Sequence, residues 1–304
     1  MRVALTGATG LVGRYIAREM QACGHDLVVL VRPGTPATAV PGPAVIVEGE
    51  LGGVPPGAFL AGADALVHAA FQHEAGRYRG GQGADLTGFL ATNLMGSLAL
   101  LEAARQAGVG RAVLLSSRAV YGERLWPGRL DERHPALPDT HYGALKLALE
   151  GFARAFGGED GWPVAVLRPT GVYGIAEPFA RTKWLGLVEA ALAGEAVPCR
   201  RGSEVHAGDV ARAVALLLDQ PAERVAGQCF NCSDRMVSTR EIVAIVQGLS
   251  GARGPLPAEP GDDGFIEMDS GRLAALGLRF GGRARLEATL EEICARLRSG
   301  RAGA

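Results

Sequence analysis

The sequence has no excess of either charge. Its 304 residues carry 31 Lys and Arg against 32 Asp and Glu, a formal net charge of -1. Such a balance removes the electrostatic attraction behind non-specific binding to nucleic acid or an anionic membrane. Neither is expected as a partner. No uninterrupted apolar run of about 18 residues is present, so no transmembrane helix is expected. The N-terminus lacks a signal-peptide pattern, because Gly7, Gly10, Gly13 and Arg14 break its apolar start. A cytoplasmic protein is the expectation. Cysteine is scarce, and five is an odd number, which argues against a disulfide framework. Cys229 and Cys232 form one C-x-x-C, but no further pair of ligands follows at the spacing zinc needs. The stretch 228–231 reads better as a short strand with Cys229 as apolar filler, and no metal is assigned.

Hydrophobic residues make up 48% and charged residues 21%, enough apolar material for a sizeable core. Forty-four glycines and 17 prolines predict many tight turns. Continuous apolar runs at 26–31, 44–47 and 65–68 predict strands buried on both faces, and those at 2–6, 111–116 and 164–168 predict further strands. Helical periodicity covers 11–23, closed by Gly24, then 91–107, closed by Gly108, and 141–156. Strands alternating with helices predict an α/β fold, a doubly wound parallel sheet of the Rossmann kind. The alternation weakens after Arg168. A dinucleotide-binding domain is therefore expected over 1–168. A smaller C-terminal substrate lobe is expected over 169–304, with some segments returning to the first domain. The glycine-rich stretch 76–83 reads as a flexible loop, either at the edge of a site or an insertion of no consequence.

Two motifs carry chemistry. Gly7, Gly10 and Gly13 lie in a turn between the first strand and the first helix. Glycines there let the backbone approach a pyrophosphate, and the helix start offers free N–H groups. Arg32 follows the second strand, where an acid often binds the ribose of NAD. An arginine there suits the 2′-phosphate of NADP, with Arg14 as a candidate helper. NADP is favoured over NAD. The second motif is Tyr142 and Lys146, four apart on a helix and hence on one face. An ammonium beside a phenol lowers its pKa, readying it for proton exchange with a hydroxyl or carbonyl. Ser116 and Ser117 end a strand whose C-terminal edge faces the ligand crevice of such sheets.

With these motifs the chain resembles an extended short-chain dehydrogenase/reductase of the NAD-dependent epimerase/dehydratase family. The resemblance runs through TGATGLVG (6–13), VHAA (67–70), the helix segment from Asn93 to Ala104 and LLSSRAVYG (114–122). It continues in YGALK (142–146), LRPTGVYG (167–174), VHAGDVARA (205–213), GQCFNCSD (227–234) and the D-x-x-x-L-x-x-L-G that starts at Asp269. It implies that Tyr142 is the general acid/base. Lys146 would lower its pKa and hold the nicotinamide ribose, and Ser117 would bond the reacting oxygen. Thr9, Leu11 and Val12 would line the phosphate loop. Glu50 and Leu51 would lie by the adenine, Ala69 and Ala70 by the ribose, and Ser116 and Pro169 by the nicotinamide. Asn93 would hold the helix or a water near the tyrosine. Asp64, His68 and His134 read as structural or exposed. A homodimer through the two long helices is implied as well.

Departures narrow the chemistry. Family dehydratases carry an Asp-Glu pair just after the serine, where this chain has Arg118 and Ala119, so a dehydratase is not expected. Nucleotide-sugar enzymes usually carry an Asn at the place of Gly171 and an Arg at that of Gly202. The candidate substrate shell is His73, Arg118, Tyr173, Arg181, Lys183, Trp184 and His206, whose cations suit a carboxylate or phosphate. Each is alternatively an ordinary loop or core residue, and His206 with Asp209 reads as organising the small lobe. The expected function is NAD(P)-dependent hydride transfer at a hydroxyl/carbonyl carbon of a small polar or sugar-like substrate. The alternatives are a nucleotide-sugar epimerase that retains NAD and a non-catalytic cofactor-binding regulator.

Overall fold

The computed structural model describes residues 1–74, 81–123, 129–259, 261 and 266–302. Of the glycine-rich stretch 76–83, positions 76–80 lie outside the described residues. The chain begins with β1 (Arg2–Thr6), α1 (Leu11–Ala22), β2 (Asp26–Val31), β3 (Val45–Glu48), α2 (Gly57–Leu60) and β4 (Ala65–His68). Next come α3 (Leu86–Leu90), α4 (Gly96–Gln106), β5 (Arg111–Leu115), α5 (His141–Gly158) and β6 (Val164–Pro169). They are followed by β7 (Gly171–Tyr173), α6 (Leu185–Ala193), β8 (Arg201–His206), α7 (Ala207–Asp219) and α8 (Ala222–Val225). The remainder is β9 (Cys229–Cys232), β10 (Arg235–Ser238), α9 (Thr239–Ser250), α10 (Gly271–Ala275) and α11 (Gly282–Ala302).

Seven parallel strands form the large sheet in the order β3-β2-β1-β4-β5-β6-β9. Successive residues of a strand point to opposite faces, so each apolar run supplies two cores. Val3, Leu5 and Val29 pack with Ile16 and Met20 of α1 and Val210 and Val214 of α7. Ala4, Val28, Leu66 and Leu114 pack on the other face with Leu100 and Leu101 of α4 and Leu145 and Leu149 of α5. The chain runs outward from β1 to β3 and returns at β4. That reversal opens a crevice at the C-terminal ends of β1 and β4.

The second sheet is small, in the order β10-β8-β7. It carries a separate core in which Tyr173, Val188, Val237, Ile242, Leu286 and Leu290 bring together β7, α6, β10, α9 and α11. Between these elements the chain revisits the large sheet. The helix α7 packs on α1, and β9 pairs with β6 from Val166↔Cys229 to Pro169↔Cys232.

The helix expected over 91–107 begins earlier. Asp85 caps α3 by accepting from the Gly88 N–H at 2.8 Å, and a π-helical turn over Ala91–Met95 joins α3 to α4. Gly88 and Thr87 weaken the helical signal there, and the Asp N-cap is the cue that marks the true start. By length and composition alone this helix, Leu86–Gln106, could cross a membrane. Its Phe89, Leu100, Leu101 and Ala104 instead pack against the large sheet.

Candidate active site

The glycine turn sits at the crevice. Gly7 has φ +76°, and a Cβ on it would lie 2.7 Å from the Ala69 carbonyl carbon. Both features demand glycine and seat the turn on the end of β4. A Cβ on Gly13 would overlap the Gly7 carbonyl oxygen, so that glycine too is fixed by internal packing. Gly10 differs. It is exposed, its φ is −78°, and a Cβ would meet only the Gly7 oxygen at 3.5 Å. Nothing inside the protein requires glycine there, whereas a close-lying external group would. Gly10 also starts α1 with no side-chain cap and no acid in the first turn. The first N–H groups of the helix are thus open to an anion. Thr9, Leu11 and Val12 flank this opening half-buried. These features fit a dinucleotide pyrophosphate.

A chain of hydrogen bonds ties the turn to the long helix. Thr6 Oγ1 accepts from the N–H groups of Ala69 and Ala70 at 3.2 and 3.1 Å. Its own proton goes to His68 Nδ1 at 2.7 Å, and His68 Nε2 meets Ser97 Oγ at 2.8 Å. Ser97 donates in turn to the Asn93 carbonyl. The donor count therefore places the imidazole proton on Nε2. Burial pushes the His68 pKa down to about 3, with Lys146 adding to the fall. The Asn93 side chain accepts from the Gln72 N–H at 2.7 Å and donates to the Gln72 carbonyl at 2.8 Å. It thereby clamps the segment that carries Phe71 and His73.

Phe71 is the hub of the polar cluster. Its ring lies edge-on to Tyr142 at 5.0 Å between centroids and stacks on His73 at 5.8 Å. Lys146 Nζ lies 4.8 Å from the Phe71 centroid and 5.9 Å from that of Tyr142. Tyr142 and Lys146 share one face of α5, which Thr140 caps through the Gly143 N–H at 3.0 Å. The Lys146 ammonium is buried and donates to the Leu115 carbonyl at 2.7 Å. Burial brings its pKa down to about 8 against the opposing pull of Glu150.

Two further contacts fix the end of β5. Ser116 donates to Glu150, which Arg168 also holds through Nε at 2.9 Å. Both members of this ion pair are almost wholly buried, at 2% and 3% exposure. Ser117 caps the turn Arg118–Tyr121 by accepting from the Ala119 N–H at 3.2 Å. A Cβ on Gly143 would overlap the Ala119 carbonyl. The start of α5 therefore rests directly on the turn that follows Ser117.

The other candidates separate into groups. Arg32 follows β2 and is exposed, and its guanidinium has no ion-pair partner among the described residues. Arg14 is committed to the Ala39 carbonyl at 2.6 Å. Glu50 is exposed and Leu51 half-buried in the loop after β3, and Pro169 is buried at the end of β6. Asp64 accepts from the Arg2 N–H at 2.6 Å, a structural role. Arg118 is half-buried in its turn and Arg181 is exposed.

Two members of the expected substrate shell are buried within the small lobe. Tyr173 is fully buried, and its ring packs on Trp184 and His206 inside the core of the small lobe. An apolar-faced ring between β7 and its covering helices is worth more as core than as a ligand contact. His206 is 5% exposed, caps α7 by accepting from the Gly208 N–H at 3.0 Å, and lies edge-on to Tyr15. Burial lowers its pKa to about 4. Nearby, Asp209 accepts from the Gly281 N–H at 2.9 Å, consistent with an organising role. Lys183 is ion-paired with Glu204. His68, Ser97, Phe71 and Glu150 were not in the candidate set. A polar residue ending an apolar strand, as His68 does, was the one available signal.

A doubly wound parallel sheet with a glycine turn at its switch point and a Tyr-x-x-x-Lys helix beside it defines a Rossmann-fold protein of the extended short-chain dehydrogenase/reductase class. The family model described as NAD dependent epimerase/dehydratase matches residues 3–233. The chain belongs to the NAD-dependent epimerase/dehydratase family. A UDP-glucose 4-epimerase of Azospirillum brasilense is 27% identical over 298 residues, covering 86% of this chain and 82% of the relative. A dTDP-glucose 4,6-dehydratase of Streptomyces niveus is 33% identical over 165 residues, covering 52% of this chain and 47% of the relative. The match thus spans about half the length of that dehydratase. Among solved structures, the Thermus thermophilus UDP-glucose 4-epimerase in complex with NAD superposes with a TM-score of 0.76 at 27% identity, covering 96% of this chain and 99% of the other. These relatives are epimerases and dehydratases, which supports an NAD-dependent enzyme. The dehydratases among them stand against the expectation drawn from Arg118 and Ala119.

Proposed function

We propose that this protein is an NAD(P)-dependent oxidoreductase acting at a hydroxyl/carbonyl carbon of a small polar substrate. The observation that carries the reading is the packing of Tyr142, Lys146 and Phe71 at the end of β5. A nicotinamide cofactor, when bound, supplies or accepts the hydride. Gly7, Gly10 and Gly13 shape its phosphate seat, with Thr9, Leu11 and Val12 around it. Ala69, Ala70, Ser116 and Pro169 line the path toward the nicotinamide, and Glu50 and Leu51 the adenine end. Arg32, exposed beyond β2, favours NADP, because a guanidinium forks onto a phosphate.

In this reading Tyr142 exchanges a proton at its phenolic oxygen with the substrate oxygen. Lys146, charged at neutral pH, stabilises the phenolate from the same helix face. Ser117 donates to the same substrate oxygen, and Asn93 keeps Phe71 against both Tyr142 and Lys146. Tyr142→Phe tests the assignment. Turnover should vanish while dinucleotide binding persists, and a Phe variant as active as wild type would refute it.

A second reading is an epimerase that keeps NAD bound, supported by the likeness to the NAD-containing epimerase. Denaturing fresh protein and identifying released nucleotide separates the two. Stoichiometric NAD favours the epimerase, and an empty protein that prefers NADPH favours the dissociable-cofactor enzyme. We also propose a homodimer through α4, with the π-helical turn before it, and α5, where Met95 of that turn and Phe152 of α5 are exposed, and a cytoplasmic location.

A further inference from the structure

The small lobe places an ion pair where two side chains are missing. Gly171, the first residue of β7, pairs in register with Glu204 of β8. A Cβ on Gly171 would lie 2.6 and 2.8 Å from the two Glu204 carboxylate oxygens and 2.8 Å from Lys183 Nζ. A Cβ on Gly202 would lie 3.6 Å from Glu204 Oε1. The carboxylate therefore occupies the space that side chains at 171 and 202 would share. Lys183 closes onto it, and the Lys183 ammonium also lies 5.1 Å from the Trp184 ring. The Glu204 side chain is 11% exposed and that of Lys183 32% exposed. The lysine is the member that reaches solvent, and the glutamate lies beneath it. Gly171 is two residues beyond Pro169, so the pair stands at the crevice end of β6.

The charges decide what such a pair can hold. Paired with a carboxylate, Lys183 carries no net charge for an anion to use. A diphosphate brought against Glu204 meets a like charge across a desolvated contact, which weakens its binding. Side by side, the ammonium donor and carboxylate acceptor instead match a hydroxyl group, which both donates and accepts. We propose that the Lys183–Glu204 pair is the specificity element of the substrate lobe, selecting an uncharged, hydroxylated substrate and excluding nucleoside-diphosphate sugars. This rests on the oxidoreductase reading above, and it turns Lys183 from an anion contact into half of a neutral one.

Saturation-transfer NMR on the intact protein with NADPH present tests it, with methyl β-D-glucopyranoside as the uncharged probe and UDP-glucose as the charged one. The glucoside should give a signal with wild type that is lost in Lys183→Met. UDP-glucose affinity should rise at least about tenfold in Glu204→Gln. Equal UDP-glucose affinity in wild type and Glu204→Gln overturns the proposal. So does a glucoside signal that is absent from wild type or unchanged in Lys183→Met. The NADPH signal in the same tube reports the dinucleotide site. Its absence from wild type counts against the oxidoreductase reading, and its presence leaves the pair alone on trial. Lys183→Met strands a buried carboxylate and could misfold. The double variant Lys183→Met/Glu204→Gln removes both charges and should still lose the glucoside and gain UDP-glucose.

Discussion

Replacing Lys146 by methionine should leave the protein as stable as wild type at neutral pH, or more so, and less stable at high pH. Burial lowers the lysine pKa from 10.5 to about 8. Between those values the unfolded chain binds the proton and the folded chain does not, so folding stability rises with pH across that window. Below it, holding a charged amine in the core costs about 3 kcal/mol at about 1.4 kcal/mol per pKa unit. Methionine removes that cost and fills similar space. It also strands the Leu115 carbonyl that Lys146 bonds at 2.7 Å, a loss of about 1–3 kcal/mol.

The two effects nearly cancel at pH 7, leaving the variant about 0–2 kcal/mol more stable. By pH 10 wild type should gain about 2.5 kcal/mol that the variant does not, so the stability curves cross. Urea unfolding at half-unit steps from pH 7 to 10 measures both, and groups common to the two proteins drop out of the difference. Parallel curves would refute the account of Lys146 as a buried ammonium. Catalysis should be lost in the variant at every pH if the proposed role is right.

The glycine turn gives a contrast between neighbours. Gly10→Ala should leave thermal stability within about 1 kcal/mol of wild type and abolish dinucleotide binding. Gly13→Ala, whose methyl would overlap the Gly7 carbonyl, should lower stability by about 1–3 kcal/mol or more. Equal melting temperatures for the two, measured by calorimetry, would contradict the packing described. His68 gives a test in acid. Its pKa falls from 6.5 to about 3, so the unfolded chain takes up a proton that the folded chain refuses, and stability falls as pH drops from 6.5 toward 3. His68→Gln should flatten that slope in urea titrations, and an unchanged slope would remove His68 as its source.

Much of this was legible in the sequence. Apolar runs long enough to be buried on both faces gave the central strands, because a parallel sheet covered by helices leaves no polar face to blur the pattern. The three glycines and the Tyr-x-x-x-Lys spacing were visible because backbone conformation and helix period are local properties. The start of the long helix was not, since Gly88 and Thr87 hide it and only Asp85 marks it.

What the fold decided was everything that depends on residues far apart in the chain. Sequence spacing left all three glycines equivalent, and only the neighbours around them assign Gly7 and Gly13 to internal packing and leave Gly10 without an internal need for glycine. Composition counted Lys183 and His206 as cations for a ligand. Tertiary contacts gave one to Glu204 and the other to the Gly208 amide. Burial lowers the pKa values of His68 and Lys146, and burial is a property of the assembled core. Local pattern is written into the chain by steric and hydrogen-bonding rules that act over a few residues. Partnership and desolvation arise only when distant segments meet.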